Sequence, residues 1–147
     1  MSGKLATVLQ PSKFMLMTLQ VISISVIMKV KDQHIYIGIP KTQPSTSDLY
    51  SQASAMLMFW CWISVIALAL EFLLIFSGKT LFNDKYNLMV ICSHLLGLSL
   101  TLFFMHRCWH YRLIQWVFFI AAALPLGLEL MSYLYSKMNY RRNFVVK

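Results

Sequence analysis

Four apolar runs dictate what this chain can fold into. They occupy residues 14–30, 53–76, 88–105 and 113–135. Each is close to the ~20 residues that carry an α-helix across a bilayer. In lipid every backbone N–H and C=O must be satisfied within its own segment, so the runs predict helices. Together they predict an all-α membrane protein, a four-transmembrane-helix bundle. Composition agrees: 59% of the residues are hydrophobic and only 12% charged, against about 25% charged in soluble domains. The first run is the shortest, and a snorkelling Lys29 with Val30 extends it. A cleavable signal peptide is the rival reading there. Ser23-Ile24-Ser25 offers a small-x-small pattern, but inside the apolar run rather than after it.

The remainder divides around these spans. Residues 1–13 form an N-terminal arm with Lys4, Pro11 and Lys13, and residues 136–147 a basic tail. The one long link, 29–52, holds Pro40, Pro44 and a Ser45-Thr46-Ser47-Asp48 cluster that punctuate a loop. Within it, residues 34–39 alternate in polarity, which reads as a short strand or an interfacial segment. The net charge of +8 does not point to nucleic acid, because the basic residues flank apolar runs where membrane lipid headgroups attract them. Lys4, Lys13, Lys79, Lys85, Lys137, Arg141, Arg142 and Lys147 fall on one side of the membrane. Lys29, Lys31, Lys41, Arg107 and Arg112 fall on the other. The excess places both termini in the cytosol.

Against this background, three ionisable residues inside the runs stand out. Glu71 and His94 flank the 77–87 turn, and Glu129 lies near the end of the fourth run. All three sit about 8–9 Å inside their helices, at the same end. Charges there are expensive and find partners. A histidine between two carboxylates is either a proton relay or a buried polar layer that fixes helix register by interhelical hydrogen bonds. The first option defines a small proton- or ion-coupled carrier, the second a structural bundle. Lys79 and Asn83 in the turn are alternative partners for the glutamates. Ser93 with Gly97, and Ala123 with Gly127, have the spacing that lets helices approach closely. Pro125 removes a backbone donor and is expected to kink the fourth helix before Glu129.

Other groups read as architecture. His106, Cys108 and His110 lack a further ligand for zinc, so no metal site is expected. Cys61, Cys92 and Cys108 show no paired spacing. Trp109, Tyr111 and Trp116 form an aromatic belt at one boundary, with Tyr133, Tyr135 and Tyr140 at the other. No nucleotide loop, nucleophile elbow or HExxH motif is present. Neither an enzyme nor a cofactor is therefore expected.

A series of landmarks carries a resemblance. Pro11-Ser12-Lys13-Phe14 precedes the first run, and Glu71 is followed by Ser77-Gly78 and Leu81-Phe82-Asn83. His94, Phe103-Phe104, Trp109, Ala123-Leu124-Pro125 and Glu129 follow in order. In these residues and their spacing, over residues 11–135, the chain resembles the transmembrane protein 107 family. The resemblance implies a non-enzymatic, structural membrane subunit of the ciliary transition zone. Its implied partners are tectonic-like proteins and other Meckel syndrome module components, with which it would support cilium assembly and gate ciliary membrane composition. It assigns no catalytic role to Glu71, His94 or Glu129. It marks Ser77, Gly78, Phe82 and Asn83 as family landmarks in the turn.

Overall fold

A computed structural model describes residues 2–39, 47–77 and 84–145, with side chains over 8–39, 47–77 and 85–138. Among the described residues there is helix and no strand. Helix α1 is Ser2–Lys29, α2 Lys31–Gly38, α3 Asp48–Phe76 and α4 Asp84–His106. A 3₁₀ turn, Tyr111–Leu113, leads into α5 (Ile114–Phe118), a π-helical turn (Phe119–Ala123) and α6 (Leu124–Val145). Four segments are long and apolar enough to cross a membrane: Val8–Lys29, Asp48–Phe76, Lys85–His106 and Tyr111–Met138. The last joins α5, the π turn and α6 into one span.

Two sequence expectations change here. Lys13, assigned to the arm, lies well inside α1, because Pro11 is accommodated within a helix that starts at Ser2. Residues 34–39 are not a strand: Lys31–Gly38 is helical and packs across one end of the bundle. There Ile35, Ile39 and Ala53 form a small core with Tyr50 and Tyr111. The Ser47 hydroxyl caps α3 by accepting from the Tyr50 N–H, satisfying one donor that the helix leaves free.

In the first three spans hydroxyls fold back onto their own helix, whereas the buried Ser132 hydroxyl of the fourth has no protein partner. Thr18 and Ser23 of α1 donate to the carbonyls of Phe14 and Leu19. Ser64 of α3 and Thr101 of α4 do the same to Trp60 and Gly97. These bonds satisfy hydroxyls without a second helix. The inner stripe then shows which face is interior. In α1 it runs Lys13, Met17, Gln20, Ile24, Ile27. In α4 it runs Asn87, Val90, His94, Gly97, Thr101, Phe104. Alternating steps of three and four residues are the seam of helices packed at a shallow angle.

The fourth span keeps the same rhythm until the π turn. Ile114, Val117 and Ala121 face inward, and continued steps would next bury Leu124, Leu128 and Met131. Instead Pro125, Glu129 and Ser132 are buried, each one residue later, while Leu124 and Met131 are exposed. The π turn holds one extra residue, so everything beyond it is displaced by one along the face. That single residue turns Glu129 inward. Where a proline kink was expected, the structure places this wider turn immediately before Pro125.

Helix α1 packs beside α3 and α4, and the fourth span packs beside the same two helices. The pairs α1–fourth span and α3–α4 are thus diagonals of a four-helix ring. At the end nearest α2 the interior is apolar: Ile27, Leu57, Cys61, Phe104, Ile114 and Val117 meet there. The buried ionisable side chains of the spans, Lys13, Glu71, His94 and Glu129, occupy the other half.

Candidate functional site

Gln20 lies on the inner face of α1 and is fully buried. Its amide Nε2 donates to the Ala121 carbonyl of the fourth span. The sequence supplies that acceptor. In an α-helix the carbonyl of residue 121 takes the N–H of residue 125, and Pro125 has none to give. Gly97 of α4 makes the approach possible, since a Cβ there would sit 2.5 Å from the Ala121 Cα. A carbonyl accepts only, so this bond fixes the orientation of the Gln20 amide and turns its Oε1 toward α4. There it lies 2.9 Å from His94 Nδ1. The Nδ1 must carry a hydrogen and donate. His94 Nε2 lies 2.8 Å from Glu71 Oε1, with both residues fully buried. That contact holds one proton, as imidazolium with carboxylate or as imidazole with carboxylic acid. In both forms the pair is electrically neutral.

Glu129 does not join this group. Its Oε2 accepts from the ammonium of Lys13, in a contact buried on both sides. This corrects the expectation of a histidine between two carboxylates. The two glutamates have different partners. Lys13 is seven residues before Gln20 in the sequence, about 10 Å along the helix. The interior therefore has two polar layers, each internally neutralised. Glu71–His94 crosses one diagonal of the ring, and Gln20–Ala121 with Lys13–Glu129 crosses the other. Chemically, this arrangement braces helices that do not pack directly against each other.

Lys13 and Gln20 escaped the sequence reading, although a signal existed. They share the stripe of Met17, Ile24 and Ile27, and polar residues at that repeat face the interior. Among the small residues, Gly97 is the close-contact point. Gly127 is exposed with nothing near its missing side chain, so Ala123–Gly127 is not a packing motif within the bundle. Ser77 ends α3 by donating to the Leu74 carbonyl. The other turn landmarks, Gly78, Phe82 and Asn83, lie outside the described residues, as does Lys79. Among the described residues, no three of His, Cys, Asp or Glu are grouped to hold a metal.

A second buried histidine sits at the α2 end. His34 stacks on Phe104 with ring centroids 4.4 Å apart. Its Nδ1 lies 3.2 Å from the Trp109 carbonyl and donates to it, while Nε2 is buried without a protein partner. Burial pushes its pKa below the ordinary 6.5, and the Trp109 bond opposes this more weakly. Unfolding returns the ring to its ordinary value, so below it the unfolded chain binds more protons. The contribution of neutral His34 is therefore present above about pH 6.5 and is lost as pH falls toward the folded pKa, at no more than about 1.4 kcal/mol per pH unit. Melting in detergent between about pH 8 and about pH 5 should fall more steeply for the wild type than for His34→Asn. Parallel curves would contradict the assignment.

The fold and its interior define a class: a multi-pass membrane protein of four helices whose buried charges are paired with one another. The comparisons give the family. The profile of TMEM107, a transmembrane protein family, matches residues 9–133, and the chain belongs to that family. Transmembrane protein 107 of Xenopus laevis is 22% identical over 126 residues, covering 86% of this chain and 89% of that one. No solved structure matches.

Proposed function

We propose that this protein is a structural membrane subunit of the ciliary transition zone, supporting cilium assembly and the gate that sets ciliary membrane composition. The observation that carries the reading is membership of the TMEM107 family across residues 9–133, joined to the ciliary role its resemblance implies. The interior is consistent with such a role. Its polar groups are spent on holding helices together, and a subunit that only presents surfaces to neighbours needs a stable interior. The carrier reading rested on one layer of Glu71, His94 and Glu129, and that motivation is gone once Glu129 pairs with Lys13. The proposed partners are tectonic-like and other Meckel syndrome module proteins. Both termini are proposed to be cytosolic, from the distribution of Lys and Arg.

The test is replacement in ciliated cells that lack the native copy. A tagged chain is expected at the cilium base, between basal body and axoneme markers, and should restore exclusion of non-ciliary membrane proteins. Diffuse residence in other membranes, with no restoration, would remove the ciliary role.

A further inference from the structure

The outer face of α4 carries a hollow of about 410 Å³ lined by Ser99, Leu102, Phe103, His106 and Arg107. The first four recur at i, i+3, i+4 and i+7, which is one side of a helix. That side points away from the His94–Gly97–Thr101–Phe104 stripe. Leu102 and Phe103 are correspondingly about half exposed, at 49% and 56%. Ser99 is also exposed and folds its hydroxyl onto the Leu95 carbonyl, 2.8 Å away, which leaves the hollow apolar below its rim. From Ser99 to Arg107 the face extends about 12 Å, close to one leaflet's share of a ~30 Å hydrocarbon core.

The rim differs from the floor. His106 ends α4, and Arg107 follows it; both side chains are exposed. Among the described residues neither pairs with an acid. Glu71 and Glu129 are taken by His94 and Lys13, and Asp32 accepts from the Tyr50 hydroxyl. The end of a helix presents carbonyl oxygens, which repel anions. An anion at this rim must be held by the side chains. Arginine forks onto phosphate oxygens, and the imidazole adds another donor.

The geometry points to a binding site for one phospholipid, its phosphate diester on Arg107 and His106 and an acyl chain along Phe103, Leu102 and Ser99. Apolar area alone does not choose the occupant, because the outer face of α4 continues past the hollow through Leu95, Leu96, Met89 and Leu88, all exposed. The cationic rim does: a phosphate diester answers the charge of Arg107 and the donor of His106, and an apolar helix face does not. A free phosphate would use the rim and leave the apolar floor empty.

Native mass spectrometry of the full chain, released from detergent micelles with added lipid, tests the site. One retained phosphatidylglycerol or phosphatidylcholine is expected, and no retained diacylglycerol, which lacks the phosphate. His106→Gln with Arg107→Gln should weaken retention at least about tenfold, the loss of charge-assisted bonds. Arg112→Gln, at the same end but outside the hollow, should retain lipid as the wild type does. Ser99→Trp keeps both rim residues and fills the floor, and it should lower retention as well. Equal retention by the double variant or by Ser99→Trp would overturn the proposal. So would equal retention of diacylglycerol, or full displacement of the lipid by an equimolar amount of glycerol phosphate.

Discussion

Replacing Lys13 by alanine is expected to cost about 3–5 kcal/mol of stability, because it leaves the buried Glu129 carboxylate without its counter-charge. Lys13 and Glu129 are the ends of one cross-brace, and both are almost wholly buried. The energetics of such a pair are asymmetric. Forming it requires stripping water from two ions, which offsets much of their attraction, whereas removing one partner leaves the desolvation penalty uncompensated. Two consequences separate this view from simple loss of packing. Glu129→Gln in the Lys13→Ala background should recover most of the stability, since the orphaned charge is then gone. Lys13→Met with Glu129→Leu should be more stable than either single replacement. Denaturant titration in mixed micelles, arranged as a double-mutant cycle, measures the coupling. If the effects of Lys13→Ala and Glu129→Gln simply add, the two side chains do not form a pair.

The number of spans and their helical nature were legible in the sequence, because lipid leaves a backbone few alternatives. Glu71 and His94 were legible too. A polar residue within an apolar run has to find a partner, and a short turn brings these two to the same depth. What the sequence concealed was the identity of the remaining partners. Lys13 stands two residues after a proline and next to a polar stretch, so it reads as a headgroup-facing lysine. Only its place on the stripe with Gln20 turns it inward. The partner of Glu129 was misassigned for a related reason: counting from the helix end put it level with His94, whereas it lies in a separate layer beside Lys13, and its azimuth depends on a π turn. An alanine-rich stretch before a proline shows nothing of that extra residue. The helix at 31–38 was missed because alternating polarity over a few residues suits a strand as well as a short helix end.

Deleting Ile120 should be tolerated, whereas deleting Leu96 should abolish folding. Most single-residue deletions within a span rotate one half against the other by about 100° and shift it along the axis. Leu96 lies in such a place. It is an exposed residue of α4 between His94 and Gly97, and α4 has regular three–four steps with no residue to spare. Its loss would carry Gly97, Thr101 and Phe104 off the inner face while His94 stayed, so the contact of Gly97 with Ala121 and the apolar packing of Phe104 would both go. Ile120 is different, because it sits in the π turn that already contains one residue too many. Removing it lets the turn become ordinary α-helix, with Pro125, Glu129 and Ser132 keeping their present phase. Ala122 then takes the inward position of Ala121, and the two side chains are identical. Both alanines are already buried, as expected where two consecutive residues share one inner position. The carbonyl that Pro125 leaves free turns off the inner face with Ala121, so Gln20 loses its acceptor, and the expected loss for the Ile120 deletion is about 1–3 kcal/mol. Elution as a single detergent-solubilised species, followed by thermal melting, distinguishes the outcomes. A folded Leu96 deletion alongside an aggregated Ile120 deletion would mean that the π turn does not set the register of Glu129.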